Sequence, residues 1–196
     1  MGSQVTAARR KQSEPRREEL VLAAYRLIAD EGFEGLRTRD VAARVGVNIA
    51  TLHYYFPTKE ALIGGVVELA MARFRETLGG PGRARTQLRR HFQGLRRLLR
   101  EERDLFAVMG EIALRSRRDP AIAKLLRQSE DAWYATIETL LRRAVKDGDI
   151  TLAASPSSLA AIVVPTLKGL LMVPSDARDS HRTEQTIVQV ERLLGV

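Results

Sequence analysis

The side chains best suited to chemistry lie in one short stretch of the chain, residues 38–62, which reads TRDVAARVGVNIATLHYYFPTKEAL. It contains hydroxyl, amide, imidazole and ammonium groups, which hydrogen-bond phosphate oxygens and base edges. Seven positions are candidates for contact with such a partner, six through polar groups and Ala50 through its small size: Thr38, Asn48, Ala50, Thr51, His53, Tyr54 and Lys59. These residue types predict a surface that contacts double-stranded DNA.

Two short helices must position these side chains. Thr38 is a natural N-cap, and the helix that it opens ends at Gly46, where glycine permits the positive φ of a tight turn. Asn48 caps a second helix that reaches Tyr55, and Pro57 terminates that helix. The pattern predicts a helix-turn-helix whose second helix presents a mixed polar and small face to a major groove. The residues available to face outward are Asn48, Ile49, Ala50, Thr51, His53 and Tyr54.

The same spacing also fits a plain helical hairpin without a ligand. Ala42 is small enough for two helices to cross closely. Five residues are predicted to fill the apolar space beneath the pair: Val41, Val45, Val47, Leu52 and Tyr55. The groups at the edges, Thr38, Tyr54 and Lys59, favour the DNA-contacting structure, because hydroxyl and ammonium groups near helix starts bind phosphates.

A further helix is predicted on each side of this pair. The first spans residues 15–31, with Ser13 as its cap, and Gly32 stops it. The helix after the pair is capped by Thr58 and continues toward Leu78. The apolar stripe of the first helix is Leu20, Ala23, Ala24, Leu27 and Ile28.

The stretch resembles the DNA-binding segment of the tetracycline-repressor (TetR) family of regulators, over roughly residues 15–67. The likeness rests on GVN at 46–48, ATL at 50–52, HYYF at 53–56 and TKEAL at 58–62. The resemblance implies an all-α, nine-helix chain with an N-terminal helix-turn-helix three-helix domain and a C-terminal helical-bundle domain for dimerisation and effector binding. Carried over position by position, it implies phosphate contacts at Thr38, Tyr54 and Lys59 and base-facing positions at Asn48, Ala50, Thr51 and His53.

Four positions depart from the family's usual residues. Asn48 stands where serine or threonine is usual, and Ala50 where glycine is frequent. His53 replaces a tyrosine and Tyr55 a frequent histidine. Asparagine caps a helix as well as serine does, so the departures fit the fold but leave the preferred base sequence unpredicted. We interpret His53 as a groove-facing, mostly neutral imidazole.

Three segments are predicted along the chain: a flexible basic arm at residues 1–14, the helix-turn-helix domain at 15–62 and a ligand-binding and dimerisation domain at 63–196. The arm is inferred from five basic side chains against one acidic one in residues 1–17. A disordered solubilising tail fits the same composition. The clearest break in the helical pattern, GGPG at residues 79–82, lies after the fourth helix.

The bulk composition restricts the class of protein. The chain has 196 residues, no cysteine and a net charge of +8. The charge favours a polyanionic partner such as nucleic acid, and the lack of cysteine excludes disulfides and thiolate metal sites. Only +2 of the charge lies in residues 1–60, where ten basic residues face eight acidic ones. We expect a cytoplasmic protein, because neither a signal peptide nor an apolar run of membrane-spanning length is legible. No cofactor is expected.

The larger domain is predicted to hold a small-molecule effector. Ten residues at helical spacing are candidate pocket lining: Phe74, Phe92, Leu95, Leu99, Phe106, Met109, Glu111, Trp133, Ile137 and Leu167. Each apolar one alone is more often plain core, and Glu111 is as easily solvated as a polar contact. The eight arginines in residues 83–103 are interpreted as a solvated helix face, with a second DNA contact and an acidic-ligand site left open.

The helix predicted at residues 156–173 is apolar nearly all round, which indicates cover on two faces. We interpret the second cover as a partner subunit in a symmetric four-helix interface, with the central helix of a monomer as the alternative. Pro165 should kink this helix, and Gly169 leaves room nearby for a pocket wall. The predicted interface residues are Leu159, Ile162, Val163, Leu170, Ile187, Val190 and Leu194.

Two functions fit these observations. The first is a ligand-responsive transcriptional regulator, expected to be a repressor that binds a palindromic operator as a homodimer and is released by a small, largely apolar effector. The second is an interaction protein, whose hairpin binds protein or binds DNA without a ligand. An enzyme is not expected, because the three histidines lack metal-ligand spacing and the chain has no glycine-rich phosphate loop or nucleophile motif.

Overall fold

The computed structural model describes residues 2–171 and 181–196, with side chains for residues 14–170 and 181–196. Over these residues the chain forms nine α-helices and no strand, which confirms the predicted all-α fold. The helices are α1 (Gly2–Gly35), α2 (Thr38–Val45), α3 (Ile49–Tyr55), α4 (Lys59–Thr77), α5 (Ala84–Glu101), α6 (Arg103–Ser116), α7 (Pro120–Lys146), α8 (Pro156–Leu171) and α9 (His181–Leu194).

Helix α1 supplies one side of the N-terminal core. Leu20 and Ala24, from the predicted stripe, are fully buried. The helical geometry is interrupted at Gly32, whose φ of 69° lies in the left-handed region that glycine adopts without strain, so the predicted stop is confirmed. The predicted start was wrong, since Pro15 lies inside α1 and does not open it. The flexible basic arm expected at residues 1–14 stays a prediction, because the structure describes side chains only from residue 14 onward.

The chain divides into two compact units, Met1–Ala70 and Met71–Val196. The division falls inside α4, between the predicted segment boundary at residues 62 and 63 and the GGPG break at residues 79–82, near which the pattern also predicts a domain boundary. In the first unit α2 packs against α1 and α3. In the second unit α7 packs against α5, α6 and α8, while α9 packs against α5 and α8.

A cluster of charges joins α5 to α9. The two terminal nitrogens of Arg96 donate to the carboxylate of Glu191 at 2.7 and 2.6 Å, and Nε donates to Glu184 at 2.9 Å. The hydrogen bonds to Glu191 raise the pKa of Arg96 above its ordinary value. Because the planar guanidinium matches both carboxylate oxygens at once, this pair fixes the orientation of the two helices as well as their contact.

Two polar contacts fix α8 on α7. The hydroxyl of Tyr134 donates to the carbonyl oxygen of Ser157 at 2.8 Å, in the first turn of α8. Near the other end, Nζ of Lys168 donates to the carboxylate of Glu130 at 2.5 Å. Helix α8 is therefore held at two points along its length.

A directed chain of hydrogen bonds lies inside the second unit and links residues of α4, α5 and α7. The indole N–H of Trp133 donates to Nε2 of His91 at 3.1 Å, and the hydroxyl of Thr77 donates to the carbonyl oxygen of Phe74 at 2.6 Å. The Thr77 oxygen lies 2.7 Å from His91 Nδ1. Since Thr77 gives its one hydrogen to Phe74, His91 donates from Nδ1. Nε2 accepts from Trp133 and so carries no hydrogen, which makes the imidazole neutral. Burial favours the same state, because it lowers the pKa of His91 to about 3.

A glycine allows α5 to come close to Thr77. A Cβ at Gly94 would lie 2.9 Å from both Cβ and Cγ2 of Thr77, which is too near for any larger residue without a shift. Gly94 follows His91 by three residues, so it lies on the same face of α5. The small residue therefore helps to bring the Thr77 hydroxyl within hydrogen-bond distance of the imidazole.

Helix α8 has a buried side and an exposed side, which corrects two expectations. Of the predicted interface residues, Ile162 is 54% exposed. Pro165 and Gly169 are also exposed, so they do not border an interior pocket. The other predicted interface residues are buried in the chain's own interior, because their spacing places them on the sides of α8 and α9 that face the rest of the unit: Leu159, Val163, Leu170, Ile187, Val190 and Leu194.

Two kinds of feature are absent from the part of the chain that the structure describes. None of its helices combines the length and the apolar character needed to cross a membrane. Nor do these residues include a group of three or more histidine or acidic side chains placed to hold a metal ion.

Candidate nucleic-acid interface

Gly46 builds the turn between α2 and α3. Its φ of 70° and ψ of 33° are left-handed. The N–H of Gly46 donates to the carbonyl of Ala43 at 3.1 Å, and the N–H of Val47 donates to that of Ala42 at 3.0 Å. These bonds satisfy two carbonyls at the end of α2, as in a Schellman motif. A Cβ at Gly46 would meet nothing within 4 Å, so glycine is needed here for its backbone conformation and not for space.

The two helices cross over a small apolar contact. Ala42, Val41 and Leu52 are buried, as the sequence predicts. Val45, Val47 and Tyr55, which were expected in the same apolar plug, are only half-buried. Two-turn helices are too short to cover a wider plug, so the edge of the contact stays open to water.

Asn48 caps α3, which confirms the prediction. Its backbone is extended, and its side-chain oxygen accepts from the N–H of Thr51 at 2.7 Å. The hydroxyl of Thr51 donates to the same oxygen at 3.0 Å. The cap satisfies an N–H that the first turn of a helix leaves without a partner. It also means that two of the predicted base-facing side chains are bonded to each other.

The other side of α3 faces solvent. Leu52 is fully buried and attaches the helix to the core. Tyr54 is 79% exposed. The predicted base-facing residues lie on the outer side as well, with Thr51 half-buried and the others exposed: Asn48, Ala50, Thr51 and His53. The polar side of α3 does not pack inward, and this is the condition that a reading helix must meet.

Thr38 lies in the first turn of α2, but it is not the N-cap. Arg37, with φ −113° and ψ 130°, holds the cap position and makes no side-chain capping bond. The predicted cap was therefore wrong by one residue. Because capping does not use it, the half-buried hydroxyl of Thr38 stays available to a phosphate oxygen.

The remaining phosphate candidates flank the end of α3. Thr58 caps α4 as predicted, since its Oγ1 accepts from the N–H of Ala61 at 3.1 Å. Lys59, the first residue of α4, is half-buried. The ring of Tyr54 meets that of Tyr55 edge-on, with centroids 5.1 Å apart. This contact restricts the rotation of a ring that is otherwise exposed.

A second layer supports this surface from behind. The buried ring of Phe56 lies 5.0 Å from the guanidinium carbon of Arg17, within the range of a cation–π interaction. A Cβ at Gly65 would lie 3.4 Å from the Phe56 ring and 2.9 Å from Cγ2 of Val21. Gly65 therefore lets α1 and α4 approach around Phe56, directly behind the end of α3.

The effector-pocket candidates lie in the second unit. Phe74, Glu111 and Trp133 are half-buried. The rings of Phe74 and Phe106 meet edge-on with centroids 6.3 Å apart. The seven other candidates are buried: Phe92, Leu95, Leu99, Phe106, Met109, Ile137 and Leu167. Their role as lining of an effector site stays a proposal.

Sequence reasoning missed the environment of His91. The sequence shows His91 only as one of three widely separated histidines, but in the structure it is buried and hydrogen-bonded to Thr77 and Trp133. Its position between Leu88 and Leu95 on the apolar side of α5 was the available signal. Ile49, one of the residues of the second helix predicted to face outward, is 37% exposed on α3.

A helix-turn-helix with an outward-facing second helix, at the head of an all-α chain, defines the class of DNA-binding transcriptional regulators. Residues 20–66 match the model of bacterial regulatory proteins of the tetR family, and residues 82–194 match the C-terminal domain of BetI-type transcriptional repressors. The chain belongs to the TetR family of bacterial transcriptional regulators. It is therefore a DNA-binding regulator and not an enzyme, as predicted.

Individual relatives agree with this assignment. The transcriptional regulator UidR of Escherichia coli K12 is 23% identical over 193 residues, which cover 94% of this chain and 93% of UidR. A transcriptional regulator from Saccharomonospora viridis, solved in complex with choline, superposes with a TM-score of 0.74 at 27% identity, over 93% of this chain and 96% of that one. A regulator from Haloarcula marismortui reaches a TM-score of 0.82 at 17% identity, over 93% and 97% of the two chains, and shows the shared fold.

Proposed function

We propose that this regulator is a ligand-responsive repressor that binds a palindromic operator as a homodimer and is released by a small, largely apolar effector. The observation that carries the proposal is the capped, outward-facing α3, whose exposed side holds Asn48, Ala50 and His53 while Leu52 attaches it to the core. Thr38, Tyr54 and Lys59 supply the phosphate contacts that set its register. Because the target is chromosomal DNA, a cytoplasmic location is part of the proposal.

The homodimer is supported by the exposed side of α8. Ile162, Pro165 and Gly169 leave an apolar, closely approachable surface on that side. A second copy of α8 would cover it in a two-fold interface. This surface replaces the buried residues that the sequence analysis had assigned to the partner contact. A dimer would present two copies of α3 to DNA one helical turn apart, at a separation of about 34–36 Å.

The chemistry of the effector follows from what the second unit buries. In its described part the buried polar side chains are Thr77, His91 and Thr183, and none of them is cationic. Since none of these wholly buried side chains is cationic, an uncharged or cationic compound is favoured over an anionic one. Phe74, Trp133 and the other aromatic candidates suit a cation as well as an apolar molecule. The choline complex of the Saccharomonospora regulator makes choline the first compound to test.

The test is a binding selection followed by two titrations. The full chain selects duplexes from a randomised pool, and the affinity of the enriched duplex is then measured against salt and against choline and uncharged analogues. We expect a palindromic site, a steep loss of affinity with salt and a further loss on adding the effector. A flat salt response, or enrichment of no sequence, would overturn the regulator mechanism. Unchanged affinity across the effector series would overturn the ligand-responsive part alone.

A further inference from the structure

The recognition helix carries an exposed aliphatic side chain that no assigned contact explains. Ile49 is 37% exposed and is the first residue of α3, between Asn48 and Ala50. The exposed part of this side chain gains nothing from burial in the free chain, and a branched residue fits a helix less well than alanine. In the proposed function this residue lies on the surface that faces DNA, so DNA binding would bury its exposed part.

The cap of α3 uses part of the hydrogen-bonding capacity of the polar neighbours of Ile49. The side-chain oxygen of Asn48 accepts both the N–H and the hydroxyl hydrogen of Thr51, at 2.7 and 3.0 Å. Turning the Asn48 oxygen toward a base would break the cap of α3. Beside the amide N–H groups of Asn48, the outer side of this first turn is formed by the apolar residues Ile49 and Ala50.

A major groove offers one apolar feature to such a surface, the C5-methyl group of thymine. Adenine, guanine and cytosine carry no methyl group there. We propose that Ile49 reads a thymine methyl group in each half of the operator and so determines part of the sequence preference. This inference rests on the proposed function, and it names the base that the exposed first turn of α3 recognises.

The experiment removes the methyl group without changing any hydrogen bond. In the duplex enriched by the full wild-type chain, each thymine is replaced in turn by uracil, symmetrically in both halves, and binding is measured at constant salt. We expect one thymine position at which uracil weakens wild-type binding about four-fold per half-site, the effect of one buried methyl group. The same replacement should leave the affinity of Ile49→Ala unchanged within two-fold, since the partner of the methyl group is gone.

The matched control is Leu22→Ala, which truncates an aliphatic residue of nearly equal exposure, 38%, on α1. This variant should retain the full uracil effect, and thermal melting of both variants shows whether they fold. A uracil effect of equal size in wild type and Ile49→Ala, no position with an effect above two-fold, or an enriched site without thymine overturns the inference while DNA binding itself stands. Failure of the selection to enrich any duplex overturns the proposed function, and the inference with it.

Discussion

Three glycines in the N-terminal unit have different physical reasons to be glycine. Gly46 has a positive φ and open space around the position of a Cβ. Gly64 also has open space but lies within α4, and Gly65 is crowded by Val21 at 2.9 Å. Of these three, only Gly46 is required by its backbone conformation, and only Gly65 is required by packing.

The substitution Gly46→Ala should lower the free energy of unfolding by roughly 1–2 kcal/mol, because an L-residue is strained in the left-handed region. Gly64→Ala is the matched control and should raise it by up to about 1 kcal/mol, since alanine favours a helix. Urea unfolding of the two variants measures the difference. Equal effects at both positions would show that the turn does not depend on the left-handed conformation.

The buried imidazole of His91 predicts how stability depends on pH. Its pKa is lowered from 6.5 to about 3 in the folded chain, so the unfolded chain takes up the proton first as pH falls below 6.5. Stability is therefore lost on acidification through this window, by about 2 kcal/mol between pH 7 and pH 5, and is constant above it. Urea unfolding of wild type and His91→Gln across this range should show the extra slope only in wild type. The same substitution at exposed His53 is the control, and parallel slopes in all three proteins would contradict the assignment.

At the scale of elements, the caps and turns are the part of the structure that local sequence determines. Gly32, Gly46, Asn48 and Thr58 all act as predicted, because a cap or a positive φ depends on residues within four positions along the chain. The start of α1 was predicted wrongly at Pro15, since proline is compatible with the first turn of a helix and does not show whether the chain before it is helical.

The side of a helix that faces the core was harder to predict for α8 and α9. An almost wholly apolar helix gives no polar stripe to mark its outer side, so Leu159 and Val163 were assigned to a partner although they lie in the chain's own core. The contact of His91 with Trp133 was also out of reach, because the two residues are 42 positions apart and neither carries a local signal of the other. Tertiary packing decides both the buried side of α8 and the contact of His91 with Trp133.

The link between α5 and α9 should depend on the two parallel hydrogen bonds from Arg96 to the carboxylate of Glu191. Glu191→Gln leaves the guanidinium with a weaker partner, and we expect a loss of about 1–3 kcal/mol in the free energy of unfolding. The control is Glu138→Gln, which removes the pair with Arg142 on the exposed side of α7 and should cost less than about 0.5 kcal/mol. Urea unfolding distinguishes the two. A loss at residue 138 as large as that at residue 191 would mean that the link between helices adds nothing beyond a surface ion pair.

At the scale of the whole molecule, the proposed dimer places Ile162 in a symmetric contact. Ile162→Glu should convert the dimer to a monomer in sedimentation experiments, because two carboxylates would be buried against each other. The melting temperature of the monomer's own core should change little, since the side chain is exposed in the single chain. Operator affinity should fall with dimerisation.

The matched control is Leu114→Glu, which puts the same charge at a 65% exposed aliphatic position on α6. This variant should remain dimeric. Dissociation of both variants would indicate a general effect of added charge, and dissociation of neither would place the partner contact away from α8.

The chain contains a single tryptophan, and its indole N–H is bonded to the buried His91. Tryptophan fluorescence therefore comes from one known position, between α5 and α7, because the chain has no second tryptophan. Displacement of the imidazole by a bound compound would change the polarity around the indole and shift its spectrum. The regulator thus contains its own optical reporter, and candidate effectors can be screened against the unlabelled protein before any operator is known.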